Sequence, residues 1–136
     1  MVEQIKSKAA FTILCQDKDS FLIDVRTNEE LTFVGVVQDK EFKNKMISIQ
    51  WLTYPHMEEN PEFLNQLEDI VKNKEAKIFF ICRTGARSNN AAQFCQNIGY
   101  KNCFNIINGF EGDLNGQGQR GLVNGWKASN LLWRQN

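Results

Sequence analysis

"IFFICRTGARSNNAAQFC", Ile78 to Cys95, is the stretch on which the fold turns. Its first five residues are uncharged and apolar, with Lys77 before them and Arg83 after. A run of that length, rich in aromatic and β-branched side chains, suits a strand buried on both faces. From about Ala86 to Ile98 the pattern becomes helical, and Gly99 is placed to close the helix. The turn between the two elements therefore lies at the carboxyl end of a strand and the amino end of a helix. Successive main-chain N–H groups in such a turn can face one anion.

Reading outward, strand and helix alternate. Ser7 to Gln16 has helical apolar spacing at Ala9, Ala10, Ile13 and Leu14, with Ser7 as a capping candidate. Phe21 to Val25 reads as a buried strand. Thr27 then offers an N-cap, and Glu29 and Glu30 put negative charge in the first turn, where it meets the positive end of the helix. Met46 to Trp51 is a further expected strand. A helix is expected from Asn60, as its cap, with Pro61 in first position and an apolar stripe of Phe63, Leu64, Leu67, Ile70 and Val71. "CFNIIN", starting at Cys103, is the last expected strand. This alternation implies an α/β fold, a mainly parallel sheet with helices on both faces and its function at the carboxyl ends of the strands. Residues Gly109 to Gly125 hold six of the nine glycines and read as a loop over the sheet edge.

The 136 residues fit a single domain spanning 1–136. With 42% hydrophobic and 24% charged residues, the composition is that of a globular protein. Sixteen basic residues balance sixteen acidic ones, so no net field draws the chain to nucleic acid or an anionic membrane. No apolar run approaches the roughly 20 residues of a membrane-spanning helix, and the first residues lack a signal-peptide pattern; a cytoplasmic location is expected. Cys15, Cys82, Cys95 and Cys103 include no C-x-x-C pair and should be thiols in a reducing compartment. One histidine, His56, leaves neither a Cys/His zinc site nor a histidine-rich metal centre to build.

"GQGQRG", Gly116 to Gly121, matches the dinucleotide fingerprint in letters only. No strand immediately precedes it, and no acidic residue lies beyond it to hold a ribose. "CRTGARS", Cys82 to Ser88, has the right context. Gly85 lets the backbone curl, Arg83 and Arg87 bring two permanent charges, and the helix start adds its dipole; together they favour the thiolate form of Cys82. A cysteine hydrolase would need a histidine base, and His56 lies in a loop-like segment with no sign of proximity. Two reactions need only a preformed thiolate and an anion cradle: phosphoryl transfer and sulfane-sulfur transfer.

At C-x4-R, Cys82 to Arg87, the loop resembles that of rhodanese-like sulfurtransferases; cysteine-dependent phosphatases carry C-x5-R, and the shorter ring of amides suits one sulfur atom better than a tetrahedral phosphate. "LIDVRTNEEL", Leu22 to Leu31, is similar to the family's Asp-x-Arg segment, and "GYKNCFNIINGFEGD" to the stretch after its active-site helix. The ending, Gly125–Trp126 and "LLWRQN", resembles small bacterial single-domain members. The chain departs from the family where many members have Gly-His-Ile-x-Gly-Ala; here "FVGVVQDKEFKNKMISIQW" follows.

The resemblance implies a rhodanese-like domain with a central sheet of about five strands. It implies sulfur transfer from thiosulfate or a related small anionic donor to cyanide or a thiol or protein acceptor, through a persulfide on Cys82 and with no metal or organic cofactor. Arg83, Thr84, Gly85, Ala86, Arg87 and Ser88 would form the binding loop. Asp24, Arg26 and Glu30 are secondary: an Arg26–Glu30 ion pair that ties strand to helix is at least as good a reading as a catalytic role. Cys95, thirteen residues beyond Cys82, is too far along the helix to resolve a persulfide and reads as core. The rival is a sulfur carrier or partner-docking module with little turnover of free thiosulfate; a small phosphatase or arsenate reductase is disfavoured by loop length.

Overall fold

The structure is a computed structural model and describes residues 2–135. Five strands form its central sheet: β1 (Glu3–Ile5), β2 (Ser20–Asp24), β4 (Ile47–Ser48), β7 (Lys77–Ile81) and β8 (Asn102–Ile106). Their spatial order is β1-β8-β7-β2-β4, and every pairing is parallel. Two small antiparallel pairs lie outside it. One joins β3 (Val36–Val37) to β9 (Trp133–Arg134), the other β5 (Leu52–Thr53) to β6 (Glu58–Glu59).

Alternation along the strands splits the core in two. Ile23, Ile78 and Phe80 face α3 (Phe63–Ile70) and α4 (Ala86–Asn97), packing on Phe63, Leu67, Ala91, Ala92 and Cys95. Leu22, Phe79 and Ile81 face the other way, onto Ala10 and Leu14 of α1 (Ser7–Gln16) and Trp126 of α5 (Gly125–Ala128). Helices thus cover both faces, and the buried strands need no polar side, as the apolar run at Ile78–Ile81 implied.

The strand order contains one reversal. After β2 the chain moves outward through α2 (Asn28–Val34) to β4; after β7 it moves the opposite way through α4 to β8. The loops leaving β2 and β7 therefore diverge, and a crevice opens between the carboxyl ends of two adjacent strands. Asp24 pairs with Ile81 in register, so Val25 and Cys82 leave the two strands side by side, with Arg26 one residue further on.

Several boundaries differ from expectation. The strand expected at Met46–Trp51 is reduced to Ile47–Ser48, at the sheet edge with a partner on one side only. Helix α3 starts at Phe63, because Asn60 turns the chain first: its side-chain oxygen accepts from the Glu62 amide at 3.0 Å and its carbonyl from the Phe63 amide at 3.2 Å. Ser7 is the first residue of α1 rather than its cap. Strands β1 and β9 were not expected, and "CFNIIN" is the last strand of the central sheet but not of the chain. Among the described residues, no helix is long and apolar enough to cross a membrane.

Candidate active site

Cys82 follows β7 directly, and its Sγ accepts three hydrogen bonds: from the Gly85 amide at 3.1 Å, the Ser88 amide at 3.3 Å and the Ser88 hydroxyl at 3.2 Å. The two amides belong to the turn and the first helical turn of α4. Their convergence requires Gly85 at φ 109°, a left-handed conformation that a side chain resists. Partial positive charge at the helix start adds to the same field. The residue is only 1% exposed and forms the floor of the loop.

The loop is held in shape from behind. The Cys82 carbonyl accepts from the Phe110 amide at 2.8 Å, and the Arg83 carbonyl from the amides of Glu111 and Gly112 at 3.0 and 3.2 Å. Gly109 permits this approach, since a Cβ there would collide with the Cys82 carbonyl and with the Arg83 backbone at 2.7 Å. The glycine-rich tail, expected as a loop over the sheet edge, is thus a clamp on the cysteine loop.

Ser88 belongs to a buried chain of polar contacts. Its hydroxyl lies 2.6 Å from Asn105 Oδ1, and Asn105 Nδ2 donates to Gln4 Oε1 at 2.7 Å and to the Gly85 carbonyl at 3.2 Å. The hydroxyl has a single proton and three acceptors nearby: Cys82 Sγ, Asn105 Oδ1 and the Gly85 carbonyl. An ionised sulfur is the strongest claimant of the three.

The expected Arg26–Glu30 ion pair is absent, and both residues have other partners. Arg26 forms a fully buried fork with Asp24, Nε to Oδ1 at 2.9 Å and Nη2 to Oδ2 at 2.7 Å, while Nη2 also donates to the Gly35 carbonyl at 2.9 Å. Its guanidinium carbon lies 4.4 Å from the Phe110 ring centre. Both residues leave the same strand end and point inward, so their nearest opposite charges are each other. Glu30 instead crosses the crevice to Arg87, with Nη1 to Oε1 at 2.6 Å and Nη2 to Oε2 at 2.8 Å. The same carboxylate closes a capping box with Thr27, the N-cap anticipated from the sequence. Burial pushes the Glu30 pKa up, but hydrogen bonds from Arg87 and the Thr27 amide, with the Arg87 charge, overcome it and hold the pKa at about 2. Arg87 is raised in turn, by the Glu30 hydrogen bonds first and, among smaller causes, by the negative charges of Glu30, Cys82 and Asp24.

Of the anticipated loop residues, Gly85 and Ser88 reach the sulfur. Arg87 is committed to Glu30, which offsets its charge. Arg83 is exposed and lines a cleft of about 500 Å³ together with Arg87, Glu30, Phe33, Tyr54 and Met57; Cys82 is not among the residues lining it. Thr84 and Ala86 line a separate depression, next to Asn89 and Asn108. His56 is exposed on the turn between β5 and β6 and is not among the residues lining the cleft. The remaining thiols lack Cys82's setting. Burial raises the pKa of Cys95 and pushes Cys103 up to about 12; Cys15 is raised by burial and by Glu41. Sequence reasoning did not single out Asn105, Gln4, Gly109, Phe33, Tyr54 or Met57. Only Asn105 carried a local signal, as a polar residue inside an apolar strand.

Three solved structures have a similar fold. Rv0390 from M. tuberculosis superposes with a TM-score of 0.89 at 32% identity, covering 99% of this chain and 98% of that one. The polysulfide-sulfur transferase homodimer of Wolinella succinogenes has a TM-score of 0.67 at 19% identity, covering 99% and 80%. A rhodanese-like domain protein from Staphylococcus aureus has a TM-score of 0.58 at 19% identity, covering 79% and 87%. A parallel five-stranded sheet with helices on both faces makes the fold rhodanese-like. Residues 2–136 match the family model described as the STR4 middle domain, and the chain belongs to that family.

Proposed function

We propose that the protein is a sulfurtransferase that carries sulfane sulfur as a persulfide on Cys82. The observation that carries this reading is the set of three donors on one Sγ, from the Gly85 amide, the Ser88 amide and the Ser88 hydroxyl. They stabilise an ionised sulfur, and they remain available to the sulfur anion of a persulfide. In the first half-reaction the thiolate attacks the outer sulfur of thiosulfate. The S–S bond of the donor breaks, its electron pair leaves with sulfite, and a Cys82 persulfide forms. In the second, cyanide or a thiolate attacks the outer persulfide sulfur and restores the Cys82 thiolate. Arg83 is the exposed cation that meets an incoming anionic donor; Arg87, paired to Glu30, anchors the helix that carries Ser88. The fold shared with a polysulfide-sulfur transferase supports the reading, and four unpaired thiols accord with a cytoplasmic setting.

The direct test is intact-mass spectrometry before and after incubation with thiosulfate, followed by cyanide. A gain of one sulfur atom on Cys82, reversed by cyanide and absent in Cys82→Ser, is expected. Loading that persists in Cys82→Ser would overturn the assignment.

A further inference from the structure

Asn105 lies two residues after Cys103 and shares its face of β8, the face that packs against α4, yet it is polar and only 4% exposed. A buried amide costs free energy unless its groups are paired. Here Nδ2 donates to Gln4 Oε1 at 2.7 Å and to the Gly85 carbonyl at 3.2 Å, while Oδ1 lies 2.6 Å from Ser88 Oγ. The register of β1 on β8 sets Gln4 beside Asn105, and Gln4 Nε2 in turn donates to Asn89 Oδ1 at 2.8 Å and to the Val2 carbonyl at 3.4 Å. Main-chain groups fix the direction of this chain. A carbonyl cannot donate, so Val2 keeps Nε2 of Gln4 on its side and Gly85 keeps Nδ2 of Asn105 on its side. Oδ1 is thereby committed to face Ser88, where it can only accept.

The Ser88 hydroxyl therefore has one proton and two competing acceptors, Asn105 Oδ1 at 2.6 Å and Cys82 Sγ at 3.2 Å. The third acceptor in reach, the Gly85 carbonyl, is already served by the Asn89 amide and by Asn105 Nδ2. With the proton turned to Oδ1 the short contact is a hydrogen bond. With the proton turned to the sulfur, two oxygens face each other at 2.6 Å with no proton between them. A neutral thiol accepts too weakly to draw the proton over; a thiolate draws it, at the expense of that contact. The charged groups flanking the loop belong elsewhere: Arg83 beside the cysteine, Arg87 of α4 paired to Glu30 of α2, and Asp24 paired to Arg26 at the end of β2. None of them hydrogen-bonds Asn105.

We propose that Asn105 is a positioning residue: it holds the Ser88 proton away from Cys82 while the sulfur is neutral and yields it when the sulfur ionises, so that β8 sets how readily the nucleophile forms. Asn105 acts through Ser88 and hydrogen-bonds neither the sulfur nor the other loop side chains. On ionisation the thiol proton leaves to solvent, the Ser88 hydroxyl turns with its own proton still on Oγ, and no other bond is made or broken. The chain from Val2 through Gln4 to Asn105 gives the edge strand β1 a part in this control. The inference takes Cys82 as nucleophile from the sulfurtransferase reading and adds a regulator of its ionisation.

The test is the pH dependence of Cys82 alkylation by iodoacetamide, read on the Cys82 peptide by mass spectrometry. Asn105→Leu removes the acceptor with little change of size, and Gln4, which is exposed, can take water in its place. The midpoint of the rate–pH curve should move down by about one unit, the scale of a hydrogen bond to a charged group freed from competition. In a Ser88→Ala background the same substitution should move it by less than about 0.3 unit, since the residue through which Asn105 acts is gone. A loop merely loosened by the substitution would lose donors to the sulfur and move the midpoint up, so the direction separates positioning from a structural role. No shift, an upward shift, or an equal shift in the Ser88→Ala background overturns the proposal. If Asn105→Leu does not fold, NMR of the wild type decides. The side-chain carbonyl carbon of Asn105 should titrate with the alkylation midpoint, and by less than half as much in Ser88→Ala; a resonance that stays still, or moves equally in both, overturns the proposal. Alkylation needs no sulfur donor. The expected shift in a protein that takes no sulfur from thiosulfate would uphold this inference and sink the sulfurtransferase reading, and loading without the shift would do the reverse.

Discussion

Replacing Glu30 by Gln tests whether the bond across the crevice is held by charge. Gln at this position keeps the capping box with Thr27, because an amide oxygen can still accept from the Thr27 N–H, so the loss is confined to the ion pair. Glu30 has its pKa lowered from 4.5 to about 2. At about 1.4 kcal/mol per pH unit the full depression corresponds to about 3.5 kcal/mol. The Arg87 and Glu30 side chains keep 16% and 22% of their exposure, so water screens the pair, and about 1–2 kcal/mol is the realistic contribution. The sign follows from the depressed pKa: the contribution is complete above pH 4.5, declines as the pH falls towards 2, and is absent below that. Urea denaturation of wild type and Glu30→Gln at pH 7, 5, 3 and 2 measures it. The gap should be about 1–2 kcal/mol at pH 7 and 5, less than half of that at pH 3, and close to zero at pH 2. A gap that stays constant from pH 7 to pH 2 would refute the electrostatic account and leave packing as the cause.

Three further variants probe the parts of the loop. Gly109→Ala places a Cβ against the Cys82 carbonyl and the Arg83 backbone at φ 60°, so a loss of about 2 kcal/mol or more in urea and a failure to load Cys82 are expected; a change under about 0.5 kcal/mol would show that the tail does not clamp the loop. Ser88→Ala removes one of three donors to the sulfur and should slow persulfide formation about 10-fold at pH 7, measured by quenched-flow mass spectrometry. Equal rates would assign the stabilisation to the two amides alone. Asp24→Asn leaves the Arg26 charge buried without its counterion and should lower stability by about 3–5 kcal/mol by urea melts; a loss below about 1 kcal/mol would contradict the buried pairing.

What could be read from the sequence was what is encoded over short distances. The run from Lys77 to Ile81 and the turn to Gly85 declare themselves by apolar length and a glycine, and Thr27 with Glu30 declares a helix start by its spacing. Glu30's partner is another matter. Arg26, four residues away, was the local choice, but the partner is Arg87, fifty-seven residues on, brought opposite by the reversal of strand order between β2 and β7. Strand β1 has three residues, two of them polar, and pairs only along one edge, so its pattern carries no period of its own. The cleft wall drew Phe33 from a helix and Tyr54 and Met57 from a turn. Each is unremarkable where it stands in the chain, and only their convergence gives them meaning.

The clamp on the cysteine loop also sets an order of assembly. On a ribosome, which delivers the amino-terminal part first, every strand of the central sheet has been made by Ile106, before Phe110, Glu111 and Gly112 follow. Until those amides arrive, the carbonyls of Cys82 and Arg83 have no main-chain donors to turn them outward. A nascent chain can therefore complete its sheet before the carbonyls of Cys82 and Arg83 meet their main-chain donors, and the cysteine loop takes its final shape only once Gly112 has been made.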